Sequence, residues 1–416
     1  MGGITIAIIS NTQEVVMISV GIDIAKGKST VCILKPYGEI VSKPFDILHN
    51  EKDLGELAAM LLRFDGEVKV VMEATGIYHL PVLTYLQGKG IFVAVINPYL
   101  MKVYRSRDLR KAKTDKIDSR IIANYGIEHW FTMEAFQASG DVYGELKLLG
   151  QQYRHYMKLH ITSLHELTHL LDYTMPGIKG MLASWNEGNQ KDKLSDFVEP
   201  FWHYDTITTL TEIEFIEQYI SWAKEKKYHQ SQDKAHAIYI LAHESIPTIS
   251  SETPSVKMLV TEAVRVLKEV DATLGMILTR MKELAKTLPE YSVVREMGGV
   301  GEVLAPKLIA EIGDIRRFHS GKALIAYAGI DTPPYESGQF VGSNRRITKR
   351  GSAALRKVGY ETMRCIKTHP RPEDPVYRYV IKKEAEGKAK KSAKIAGLNK
   401  FLRIYYARVK EVYDNA

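Results

Sequence analysis

The chain has 416 residues, 57 Lys and Arg against 49 Asp and Glu, and a formal net charge of +8. That length allows two or three domains with real cores, and the positive balance offers long-range attraction to phosphate. Two cysteines, Cys32 and Cys365, exclude a disulfide framework or zinc site and fit a reducing cytoplasm, and the Ile4 to Ile9 run is too short to span a bilayer and lacks a basic leader, so no membrane is expected.

Residues before about Met17 read as an extension ahead of the folded core. Met17 to Ile22 is a β-branched apolar run ending in Asp23, a buried strand with an acid at its tip. Gly27 permits a turn, and Ser29 to Leu34 and Glu39 to Ile47 read as second and third strands. Asn50 is placed to cap a helix over Glu51 to Phe64, whose Leu54, Leu57, Ala58, Leu61 and Leu62 form one apolar stripe. Glu67 to Met72 predicts a fourth strand, also ended by an acid, Glu73. A short helix follows, then a strand over Ile91 to Ile96 closed by Asn97-Pro98. A further helix carries Asp115 and Asp118, three apart and so on one face. Three strands, helix, strand, helix, strand, helix is the order of a ribonuclease-H-like (RuvC-like) α/β domain, expected over residues 17–140.

Asp23, Glu73, Asp115 and Asp118 are far apart in sequence, but acids at strand ends and on one helix face are able to meet in space. Mg2+ prefers oxygen ligands, and two such ions roughly 4 Å apart clamp the attacking and leaving oxygens of a phosphodiester. The four are therefore candidate metal ligands and catalytic acids; the plain alternative for any one of them is a solvated surface carboxylate.

Cations crowd the same stretch: Lys102, Arg105, Arg107, Arg110, Lys111, Lys113, Lys116 and Arg120. A second cluster holds Arg345, Arg346, Lys349, Arg350, Arg356 and Lys357, and a third Lys382, Lys383, Lys388, Lys390, Lys391 and Lys394. A charge run is ordinarily a solvated face; three on one basic chain favour a nucleic-acid surface. Arg107, Lys113, Lys116, Arg345, Arg346, Lys349, Arg350 and Arg356 are the candidate phosphate contacts.

The middle of the chain, 141–289, reads as helical. Val256, Val260, Ala263, Leu267, Val270, Leu274, Ile277, Met281, Leu284 and Leu288 recur in steps of four and three, a heptad seam ended by Pro289. Leu146, Leu149, Tyr153 and Tyr156 open a helix that ends near Pro176 and could be its returning arm. Between the arms, roughly 177–254 is irregular in pattern and rich in aromatics such as Trp185, Trp202 and Trp222, an insertion at the tip of a coiled coil. The seam serves an intramolecular hairpin or a dimer equally well.

From 290 the chain is expected to form a mostly helical C-terminal domain. Gly298-Gly299-Val300-Gly301 before an amphipathic Val303 to Ile312 suggests a helix–hairpin–helix element whose backbone amides hold a phosphate. The signal is weak, and Pro306 would remove a hydrogen bond if it lay deep in that helix.

Two sets of motifs then carry a resemblance. Ala326-Tyr327-Ala328-Gly329-Ile330, Pro334-Tyr335-Glu336-Ser337-Gly338, Arg346-Ile347-Thr348-Lys349-Arg350-Gly351 and Leu355-Arg356 resemble the C-terminal domain of the IS110 insertion-sequence transposases. Gly21-Ile22-Asp23-Ile24-Ala25-Lys26, Met72-Glu73-Ala74-Thr75-Gly76 and Lys113-Thr114-Asp115-Lys116-Ile117-Asp118 resemble that family's DEDD domain. The resemblance runs from about Met17 to Lys410, apart from the region between the two arms. It implies a DNA recombinase, directed in many members by a non-coding bridge RNA that pairs with target and donor DNA. It implies magnesium at Asp23, Glu73, Asp115 and Asp118, and Ser337 as a nucleophile forming a covalent phosphoserine. It also implies a homo-oligomer, dimer to tetramer, whose composite site joins domains of different protomers.

A phosphoserine conserves the energy of the broken phosphodiester, and a nearby base or metal would activate the hydroxyl. Against this, Ser337 also suits a simple turn, and Ser343 and Ser352 compete for the role. A metal-dependent junction nuclease without a covalent serine stays open. A non-catalytic nucleic-acid-binding protein leaves the four acids unexplained. An actin-like ATPase needs a duplicated phosphate loop that the sequence lacks.

Overall fold

A computed structural model describes residues 16–106, 114–136, 141–182, 185–186, 191–332, 336–337, 340–341 and 346–415. The chain divides into two compact units, Met1–Ala138 and Ser139–Ala416.

The first unit is built on a five-stranded sheet. β1 (Met17–Ile24), β2 (Lys28–Leu34) and β3 (Ile40–Leu48) form an antiparallel meander; β4 (Glu67–Glu73) and β5 (Phe92–Ile96) lie parallel on the other side of β1, in the order β3-β2-β1-β4-β5. This mixed sheet is the arrangement that the order of elements predicted. The helices are α1 (Glu51–Leu61), α2 (Leu80–Gly88), α3 (Pro98–Arg105) and α4 (Asp115–Glu128).

Side-chain alternation along the strands decides what each face meets. Ile18, Val20 and Ile22 of β1 and Val70 and Met72 of β4 pack with Leu54, Leu57 and Leu61 of α1 and Val82, Leu83 and Leu86 of α2. The intervening Ser19, Gly21 and Val71 face the other side, where α3 and α4 lie: Val71 packs with Met101 and Ile122, and the Ser19 hydroxyl donates to the Ala123 carbonyl at 2.8 Å. Glycine permits that closeness. A Cβ on Gly21 would fall 2.2 Å from the Ser119 carbonyl oxygen, and one on Gly126 would fall 2.2 Å from the Ser19 hydroxyl.

The second unit begins with α5 (Asp141–Thr174), which runs beside a returning helix, Pro254–Lys286. Arg280 pairs with Glu145 at 3.0 Å and His160 with Asp271 at 2.6 Å, so the two helices are antiparallel. The buried stripe of the returning helix departs from the heptad reading. Val264, Asp271 and Leu278 are buried, while Ala263, Val270 and Ile277, one residue earlier, are half-buried. A helix of 3.6 residues per turn that touches neighbours on more than one side buries a broader stripe than a two-stranded seam.

Residues 177–254 are more regular than their pattern suggested. Helices Lys193–Val198, Glu212–Glu225 and Gln232–Glu244 surround Phe197, Tyr219, Trp222 and Ile238, and this core continues into the distal arms through Leu167, Leu171, Val260 and Leu267. At the other end no break in packing falls at 289. Tyr143, Leu146 and Tyr153 of α5, Leu274 and Met281 of the returning arm, and Leu308, Leu355, Phe401 and Tyr405 beyond it belong to one core. No helix among the described residues is long and apolar enough to cross a membrane.

Candidate active site

The parallel register pairs Ile22 with Met72, so the next residues, Asp23 and Glu73, sit level with one another on neighbouring strands. Alternation turns both toward the α3–α4 side, the face already marked by Gly21 and Val71. α4 begins directly above. Thr114 caps it by accepting from the Ile117 amide at 3.2 Å, which fixes Asp115 and Asp118 in the first turn. Asp118 shares a helix stripe with Ile122 and Gly126, so it faces the sheet and is 5 % exposed, whereas Asp115 is exposed.

Asp23 feels the charge of the other three acids. The Asp23 carboxyl is pushed up to about 6, first by burial, then by the negative charges of Asp118 and Asp115, with a smaller contribution from Glu73; the Arg105 cation opposes the shift. Arg105 is the site residue that sequence reasoning left inside a general basic cluster. Its Nη2 lies 3.0 Å from Glu73 Oε2 and its Nε 3.3 Å from Asp118 Oδ1. Among the described residues no three acids, histidines or cysteines are gathered at ion-holding spacing. The donor chemistry nonetheless suits a hard divalent cation: all four groups are carboxylates, and burial together with its acidic neighbours raises Asp23.

Of the cations expected to meet phosphate, Lys116 is exposed in the first turn of α4, while Arg107 and Lys113 lie outside the described residues. So does Arg345. In the second unit, Arg346 and Lys349 line a cavity of about 1300 Å³ together with Lys388, Lys391, Lys400 and Arg403, with no acidic side chain among the described lining residues. The second and third cationic clusters of the sequence thus contribute to one concave surface. Arg350 is exposed.

Arg356 has a different employment. Its Nη1 donates to the carbonyls of Ala328 and Gly351, each at 2.9 Å, tying together two motif segments. Those segments touch through backbone: Lys349 N donates to Gly329 O at 2.9 Å and Ser352 N to Tyr327 O at 2.7 Å. A Cβ on Gly351 would lie 2.1 Å from the Tyr327 carbonyl oxygen, which is why that motif position carries glycine.

Ser337 lies in a short strand, Glu336–Ser337, antiparallel to Phe340–Val341, with Ser337 opposite Phe340; its side chain and Ser343 lie outside the described residues. Ser352 caps the helix Ala353–Thr368, its hydroxyl accepting from the Leu355 amide at 3.1 Å. The glycine turn at 298–301 is used for packing: a Cβ on Gly298 would lie 2.0 Å from the Asp374 carboxylate and one on Gly299 2.4 Å from the Ile366 side chain. The helix that follows, Leu304–Ile312, is buried along its whole length, and Pro306 falls in its first turn, where no amide hydrogen bond is lost.

Comparison with known proteins agrees with these two regions. Residues 20–176 match the model of the DEDD transposase domain of IS110, and residues 291–377 match that described as transposase IS116/IS110/IS902 family; together these cover more than half of the chain. A pilin gene-inverting protein of Moraxella bovis is 29 % identical over 120 residues, 29 % of this chain and 37 % of that protein. The transposase for insertion sequence element IS1111A of Coxiella burnetii is 27 % identical over 171 residues, 40 % of this chain and 45 % of that protein. The chain thus spans less than half the length of these curated relatives. Thermus thermophilus RuvC aligns over 29 % of this chain and all of its own, with 14 % identity and a TM-score of 0.23.

Proposed function

This chain belongs to the IS116/IS110/IS902 family of transposases, and we propose that it cleaves and rejoins DNA at the ends of an insertion sequence. The observation that supports this reading is the placement of Asp23 and Glu73 at the C-terminal ends of the neighbouring strands β1 and β4, with Asp115 and Asp118 in the first turn of α4 and Arg105 reaching both Glu73 and Asp118. Carboxylates that feel one another's charge in a basic chain repel DNA unless a cation bridges them. Asp23, Glu73, Asp115 and Asp118 would hold Mg2+, which supplies charge stabilisation at the attacked phosphate.

Ser337 is the proposed nucleophile. Its Oγ attacks phosphorus, a deoxyribose oxygen leaves with a proton, and a phosphoserine ester remains; attack by an incoming strand's hydroxyl re-forms a phosphodiester and returns the serine. Supporting this choice over Ser352 is the helix-capping bond that already engages Ser352. The cavity around Arg346, Lys349, Lys391 and Lys400 is a proposed seat for nucleic-acid backbone, with Lys116, Arg350 and the cations Arg107, Lys113 and Arg345 as further contacts. We further propose a bridge RNA as guide and a dimer to tetramer as the working form. Both are what the resemblance implies, the RNA for many members of the family.

The test is to purify the protein with its bound nucleic acid, sequence any RNA, and assay strand cleavage on DNA carrying element ends with Mg2+. Asp118→Asn should abolish cleavage while binding persists, and Ser337→Ala should abolish the covalent protein–DNA species. Cleavage that survives Asp118→Asn would refute the metal site. A covalent species that survives Ser337→Ala moves the nucleophile. Cleavage without any covalent species would instead identify a junction nuclease.

A further inference from the structure

The neighbourhood of Arg105 contains a relationship that neither the motifs nor the proposed chemistry uses. α3 is a short helix with a fixed start: Asn97 accepts from the Tyr99 amide at 2.8 Å. Met101, fully buried, packs against Val71 of β4 and Ile122 of α4, and Tyr104 donates to Glu128 at 2.7 Å. Arg105 follows Met101 by four residues and so projects from the same face, over the ends of β1 and β4. A built helix therefore delivers this guanidinium to the acid cluster.

Its fit there is incomplete. Nη2 reaches Glu73 at 3.0 Å, but Nε, 3.3 Å from Asp118, is buried and makes no hydrogen bond among the described residues. The Asp118 contact is one of charge, without the paired geometry of a bidentate arginine–carboxylate lock. Asp23 and Asp115 have no ion pair within 4 Å among the described residues. Among the described residues Arg105 is the cation paired with this cluster, and the two carboxylates it touches are two of the four proposed metal ligands.

We propose that Arg105 is an internal counter-ion that holds Glu73 and Asp118 in place in the metal-free protein and competes with a divalent cation for them. The guanidinium is always charged and planar, so it balances the cluster without being a ligand, and it must leave these carboxylates before both coordinate an ion. Its incomplete hydrogen bonding keeps that exchange accessible: a buried N–H without a partner weakens the hold, whereas a full bidentate pair would oppose release. The arrangement keeps like charges together while the site waits and lowers its apparent metal affinity. This inference rests on the reading that these acids bind metal.

The experiment is calorimetric titration of Mn2+ into the full chain without DNA, alongside metal-free thermal unfolding, for wild type, Arg105→Gln, Arg105→Lys and Glu73→Gln. Arg105→Gln should unfold at a lower temperature without metal, yet bind Mn2+ roughly tenfold more tightly, within the range by which neighbours of metal ligands alter affinity. Arg105→Lys, which keeps a charge but loses the fork, should fall between, and it serves as the folded variant should Arg105→Gln not fold. Glu73→Gln should weaken binding, which assigns the signal to this site. Unchanged or weaker Mn2+ binding in both Arg105 variants, with normal binding by wild type, overturns the counter-ion role and leaves the metal site standing. No Mn2+ binding by wild type or any variant overturns both.

Discussion

Gly21 and Ala123 are held so close that a methyl group on Gly21 would fall 2.3 Å from the Ala123 amide nitrogen. This contact seats α4 on β1, and by doing so it brings Asp118 down to the strand end that carries Asp23.

Gly21→Ala should therefore act at a distance on the acid cluster. Overpacking of a helix against a sheet costs about 1–3 kcal/mol, with the backbone of α4 as the part that must yield. The expected result is a lower unfolding temperature together with loss of the thermal stabilisation by Mn2+. A variant with normal stability and normal Mn2+ response would show that α4 has freedom to shift.

Asp23→Asn should do the reverse to stability. In the fold the Asp23 carboxyl titrates near 6, above its ordinary value, so its contribution is fully favourable below about 4 and is lost as pH rises through 6. Removing the charge should then stabilise the metal-free protein by about 1 kcal/mol at pH 8, a figure discounted because Asp23 is partly solvated, with no gain at pH 4. Urea unfolding in EDTA at both pH values measures this. Destabilisation at pH 8 would mean that the carboxylates do not crowd one another.

Ser352 and Ser337 should separate cleanly. Ser352→Ala removes a helix cap and should cost about 1 kcal/mol while leaving the covalent protein–DNA species. Ser337→Ala should leave the unfolding temperature near wild type and eliminate that species. Denaturing gels after reaction and thermal unfolding, run on both variants, decide the assignment.

Arg346 and Arg356 should separate in the same way. Arg346→Ala combined with Lys391→Ala should weaken nucleic-acid binding regardless of sequence and reduce the salt slope by about 2, since two phosphate contacts are lost. Arg356→Ala should chiefly lower stability, because its guanidinium satisfies the Ala328 and Gly351 carbonyls. Equal loss of binding in a stable Arg356→Ala protein would give that residue a phosphate as well.

The sheet was legible because its signals are local. The strands announced themselves by β-branched residues, the first and fourth also by a terminal acid, and the order of elements then left few ways to pair them. Asp115 and Asp118 were placed on one face by spacing alone. The segment 177–254 was less legible, because short helices around a small aromatic core bury broad, uneven stripes that match no single period. The heptad reading found the right helix but shifted part of its stripe, since Asp271 is buried against His160 and no apolar pattern marks a polar seam residue.

What the sequence determined by itself was the five strands of the first unit, the helices α1, α2 and α4, though not α3, and the four carboxylates at their ends, because periodicity and capping act over a few residues. What the tertiary structure decided was which charges face one another. Arg105 is separated from Glu73 by a strand and two helix–loop steps, and in sequence it is one cation among eight. Arg356 was read as a phosphate contact, and its role in holding the Ala328 and Gly351 carbonyls emerged only where the backbone of Gly351 closed on Tyr327. Such pairings depend on distances of a few ångströms between segments remote in the chain, and those distances are set only when the sheet, its covering helices and their glycine contacts have packed.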